Sequence, residues 1–134
     1  MHPYNIIQQL EADNSSLAKQ AILEQHIDNV ELIAGATYCL DPMVTFGVKQ
    51  VPISETDGPG LSWDDFVLLA IGLINRDTTG HAARDAIIDA MEQATNEQWN
   101  DWYRRILIKD LRCGTGAKLF NKVKKNIIPL FSCM

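Results

Sequence analysis

Apolar residues recur along most of this chain at the three- and four-residue intervals of an amphipathic helix, and start signals precede several of the runs. Ile6, Ile7 and Leu10 predict a short opening helix closed by Asp13-Asn14-Ser15-Ser16. The same polar cluster supplies caps for a second helix from Leu17 to about His26. Asp28-x-x-Glu31, Ser62-x-x-Asp65 and Thr95-x-x-Gln98 each resemble a capping box or its acidic variant and start three more helices. The helix after Asp28 carries Val30, Ile33 and Ala34 and ends before Asp41-Pro42, because a proline disfavours helix in the residue ahead of it. Ser62 to Asn75 reads as largely buried, since Phe66, Val67, Leu69, Ala70, Leu73 and Ile74 leave little polar face. Arg76-Asp77-Thr78-Thr79-Gly80 breaks that helix, and the next runs from His81 to about Ala94. Two more follow, Gln98 to Arg112 and Thr115 to Asn126, before Pro129.

Between Pro42 and Gly60 lie three of the five prolines and three of the eight glycines, which predicts a long extended connection. Val44 to Val51 within it reads as loop. The expected fold is therefore all-α, a compact multi-helix bundle forming one domain over residues 1–134. A chain of this size buries enough surface to form a core without staples. Cys39, Cys113 and Cys133 are odd in number and far apart, and read as reduced, partly buried thiols. His2, His26 and His81 are equally scattered, so no metal site is expected. The chain starts with no basic stretch leading into an apolar one, and the longest apolar run, Phe66 to Ile74, is far short of the ~20 residues of a membrane span. A cytoplasmic protein with no membrane partner is the expectation.

Charge sharpens this reading, because the net −5 hides a step. Residues 1–101 carry 4 Lys/Arg against 16 Asp/Glu, whereas residues 102–134 carry 8 against the single acid Asp110. In the expected helix ending at Arg112, the residues Arg105, Lys109 and Arg112 stand at i, i+4 and i+7, within about 60° of one another on one face. After Cys113-Gly114-Thr115-Gly116 the spacing repeats with Lys118, Lys122 and Lys125. Two basic stripes joined by a glycine turn suit backbone phosphates: glycine lets the chain approach closely, and first-turn amides donate to an anion. A simple C-cap at Gly114 and a solvated lysine face explain the same residues about equally well, and the charge step tilts the balance toward DNA. Thr79-Gly80-His81 is a second candidate turn, though an ordinary N-cap by Asp77 or Thr79 is the better reading there. Lys49 is a weaker candidate. Trp99, Trp102 and Tyr103 fit a core more readily than a platform for stacked bases. No catalytic group stands out, since no P-loop or Ser/Cys-His pairing appears.

The string Ile106-Leu-Ile-Lys-Asp-Leu-Arg-Cys-Gly-Thr-Gly-Ala-Lys-Leu-Phe-Asn-Lys-Val123 resembles the closing part of the N-terminal DNA-binding domain of ATP-dependent DNA ligases, especially the T-even bacteriophage type. Upstream pieces agree in order and spacing: Lys19-Gln-Ala-Ile-Leu-Glu24 with Asp28-Asn29, Phe46-Gly-Val-Lys-Gln50, Thr79-Gly80-x-Ala82-Ala83, and the Ile128-Pro129 end. The resemblance implies a helical, non-catalytic domain that grips duplex DNA around a nick through backbone and minor groove. The chemistry would belong to a separate nucleotidyltransferase domain whose K-x-D-G lysine takes AMP from ATP. This chain contains no K-x-D-G, so it is expected to be an excised domain or one chain of a split protein, inactive alone. The implied contact set is Arg105, Lys109, Arg112, Gly114, Thr115, Gly116, Lys118, Lys122 and Lys125, with Thr79, Gly80, His81 and Lys49 as lesser members. The implied partners are nicked duplex DNA and the ligase's own catalytic domain. The chain is expected to hold no cofactor itself, with ATP and Mg serving the full-length ligase, and to be monomeric in the host-cell cytoplasm if phage-encoded. The rival expectation is a protein-interaction module that docks a basic partner, with Phe120 and Trp99 or Trp102 forming an apolar patch.

Overall fold

The computed structural model describes residues 2–13, 15–41, 43–48, 50–111 and 117–123. Among these residues the regular structure is entirely helical, as expected. They gather into two compact units, Met1–Val44 with Lys109–Met134, and Thr45–Ile108.

The first unit holds α1 (Pro3–Ala12), α2 (Ser16–Gln25), α3 (Val30–Leu40) and α8 (Ala117–Val123). Proline at the first position of α1 costs no hydrogen bond, and the His2 ring accepts from the Tyr4 amide at 3.4 Å. Ser15 caps α2, its Oγ accepting from Ala18 N at 3.4 Å. The cap of α3 is Asn29, whose Oδ1 accepts from Leu32 N at 3.0 Å, and not Asp28 as the spacing predicts. Asp28 lies one residue too early, in the turn after α2. Glu31 therefore sits in the first turn, where its charge suits the helix dipole without completing a box. Ile6, Ile7, Leu10, Leu23, Leu32, Cys39 and Phe120 are buried.

The second unit holds α4 (Trp63–Ile74), α5 (Gly80–Gln93), α6 (Asn96–Gln98), a π-helical stretch Trp99–Tyr103 and α7 (Arg104–Leu107). Ser62 caps α4 through Asp65 N at 3.2 Å, as predicted. Only one face of α4 is buried, that of Phe66, Ala70 and Leu73; Leu68 and Ile71 are exposed, which corrects the expectation of a helix buried nearly all round. Thr95 and Gln98 form a true capping box, and Gln98 Oε1 also accepts from Leu61 N at 3.0 Å. Trp99, Trp102 and Tyr103 are fully buried, which settles them as core. Phe66 stacks on Tyr103 at 4.4 Å, Tyr103 Oη donates to Leu61 O at 2.7 Å, and Trp99 Nε1 donates to Pro52 O at 2.8 Å. Tyr103 and Trp99 thus bury their apolar rings while the polar atom of each finds a carbonyl. The connection from Thr45 to Leu61 is irregular in its described residues, as expected. Gly58 is required there: a Cβ would come within 2.2 Å of Glu92 O.

Candidate nucleic-acid interface

The first predicted basic stripe does not form. Helical structure that began at Asn96 stops at Leu107, and Lys109 takes a left-handed φ of 59°. A stripe computed at 100° per residue therefore loses its phase before Lys109. The π-helical stretch is a further departure from that spacing. Arg105 is only 8% exposed; its Nε donates to Asn100 O at 3.1 Å and its guanidinium pairs with Asp101 at 3.2 Å. Lys109 Nζ donates to Tyr38 O at 3.1 Å, Asp41 O at 2.8 Å and Val44 O at 2.5 Å. An ammonium has three hydrogens. Here three carbonyls receive them, at and just beyond the last turn of α3, where orphan acceptors and the negative end of the dipole favour a cation. Burial pushes the Lys109 amine below its ordinary value, opposed by the nearby Cys39 and Asp41.

On α8 the spacing holds. Lys118 and Lys122 are exposed, one turn apart, while Phe120 is fully buried. The apolar docking patch expected from Phe120 with Trp99 or Trp102 is thereby overturned, because all three side chains are inside. Arg112, Gly114, Thr115, Gly116, Lys125 and Lys49 lie outside the described residues.

The Thr79-Gly80-His81 turn starts α5, and all three residues are exposed. Thr79 occupies the cap position, yet its side chain makes no capping bond, unlike Ser15, Asn29 and Ser62 on their helices. Gly80 has φ +60 with nothing within 4 Å of a would-be Cβ, so its backbone conformation, not crowding, calls for glycine. Gly80 and Arg84, one turn apart, line an open cleft with Gly47, Gln50 and Arg104, and Glu55 is the one acid among its described lining residues. Arg104 is tethered there through Nε to Val51 O at 2.8 Å. Sequence reading passed over Arg84 and Arg104; the signal for Arg84 was its i+4 spacing from Gly80.

No family model matches the chain. The curated DNA ligase of Enterobacteria phage T4 is 26% identical over 133 residues, covering 92% of this chain and 26% of that protein, and the DNA ligase of phage T6 gives the same figures. The solved structures Pmar-Lig_PreS3 and Pmar-Lig_Pre. match with a TM-score of 0.95 at 47% and 46% identity. Each match covers 99% of this chain and 32% of the solved one. The chain thus spans about a quarter of the curated relatives and about a third of the solved chains. Sequence and backbone comparisons agree that this chain is related to the DNA ligases and has the fold of a DNA ligase N-terminal domain.

Proposed function

We propose that this chain is a non-sequence-specific duplex-DNA-binding domain of an ATP-dependent DNA ligase, holding the sugar-phosphate backbone around a nick for a separate catalytic domain to seal. The relationship to DNA ligases over nearly the whole chain carries the reading. Lys118 and Lys122 then neutralise phosphates from α8, and the uncapped start of α5, with Gly80 and Arg84, offers amides and a guanidinium to another. ATP and Mg serve the catalytic domain, so this chain alone takes no AMP. It acts as a monomer inside the cell where the DNA is.

Fluorescence anisotropy with a nicked duplex tests this across about 50–200 mM salt. Log affinity is expected to fall linearly with log salt, by about 0.9 per phosphate neutralised. An affinity that ignores salt, or no binding to duplex at all, sinks the reading.

A further inference from the structure

We propose that the groove between α4 and α5 docks a short amphipathic helix of a partner protein, one that carries lysines or arginines beside an aliphatic stripe. Leu68 is 70% exposed and Ile71 41% exposed, neighbours at i and i+3 on α4. Single exposed aliphatics are ordinary on a protein surface, but here the exposed Leu68 is also part of a groove wall. Leu61 and Leu69 continue the apolar lining, and Ala86 and Ala90 of α5 supply small side chains that let a third helix come near. The trough between the two helices is aliphatic at Leu61, Leu68 and Leu69 and polar at Asp65, Thr78, Asp89 and Gln93, which suits a helix that presents an aliphatic stripe at i, i+3, i+4 and i+7 with polar flanks.

Charge selects the occupant. The ionisable residues lining the groove are Asp65 and Asp89, both acids, and Asp64, Asp85 and Glu92 stand exposed on the same two helices. Arg84, the cation of α5, lines the cleft on the other side of that helix. About 140° of helix rotation separates it from Asp89. A phosphate backbone is repelled by such a rim, whereas a basic helix gains on both counts, apolar contact in the trough and ion pairs at its edges. The inference stands whether or not the domain binds DNA.

The probe is a synthetic helix of about four turns with leucine at i, i+3, i+4 and i+7 and lysine flanking them. It is titrated into the isotope-labelled full chain and followed by backbone amide shifts. Shifts confined to α4 and α5, saturable and weakened by salt, are expected. The variant Leu68→Gln, altered at an exposed position on the groove wall, should bind about tenfold more weakly. Asp65→Asn with Asp89→Asn should remove most of the salt dependence. The proposal is overturned by no saturable binding, by equal binding by the Leu68 variant or of a scrambled peptide, or by shifts spread over other faces. Self-association of the wild type that the Leu68 variant abolishes also overturns it, by naming a second copy as the occupant.

Discussion

Two stretches of this chain carry cations at the same helical spacing and put them to opposite uses. Arg105 and Lys109 turn inward, to Asn100 O and Asp101 in one case and to three carbonyls around the end of α3 in the other. Lys118 and Lys122 stand in solvent one turn apart, with Phe120 buried beneath their helix. Residue type does not separate them. What does is whether backbone acceptors within reach lack a donor, because a buried carbonyl without a partner costs more than an exposed lysine gains in water.

The largest effect tests whether the inward-facing stretch is core. Tyr103→Ala removes the ring stacked on Phe66 and the bond to Leu61 O, and should cost about 3–5 kcal/mol in a urea denaturation. Lys118→Ala, on the outward-facing helix, should stay within about 0.5 kcal/mol of wild type. Similar losses for both would erase the contrast.

Next comes Lys109→Met, which keeps most of the apolar stem and removes the ammonium. Three carbonyls lose a charged donor, so a loss of about 2–3 kcal/mol is expected in the same measurement. The salt slope of DNA binding should not move. A slope shallower by about 1, with stability intact, would return Lys109 to the phosphate contacts.

Local chemistry made much of this architecture legible. Ser62 and the Thr95/Gln98 box announced α4 and α6 because a cap is a contact within four residues. Trp99, Trp102 and Tyr103 announced a buried face because aromatic residues at close helical spacing pack on the core. The inward turn of Lys109 was not legible, because its three acceptors lie 65 to 71 positions away in the chain, which periodicity cannot carry. The exposed face of α4 at Leu68 was not legible for a related reason: apolar density along a helix does not say how many neighbours exist to cover it. Of the candidate site, Lys118, Lys122 and the Gly80 turn were visible as spacing and as glycine, while Arg104 is brought to the cleft through a bond to Val51 O, 53 positions back in the chain.

The outward-facing pair has its own test. Lys118→Gln with Lys122→Gln should leave stability within about 0.5 kcal/mol of wild type. It should also make the salt slope of duplex binding less negative by about 2. An unchanged slope would leave α8 a solvated face and move the phosphate reading to the α5 cleft.

The smallest effect concerns the charge on Lys109, where burial and neighbouring charge compete. Burial disfavours the ammonium and is opposed by the nearby Cys39 and Asp41, which leaves the amine below its ordinary value. The folded state then releases this proton before the unfolded state does. Between the lowered value and the ordinary 10.5 the unfolded chain binds more protons, so the Lys109 contribution to stability grows as pH rises and is lost as pH falls through the folded value. Below the folded value it is flat. Denaturation of wild type and Lys109→Met at several alkaline pH values isolates the contribution as a difference, which should move in favour of wild type up to about 10.5. A move in the opposite direction would show that the carbonyls outweigh burial, and would make this amine a still firmer structural cation than its partial burial implies.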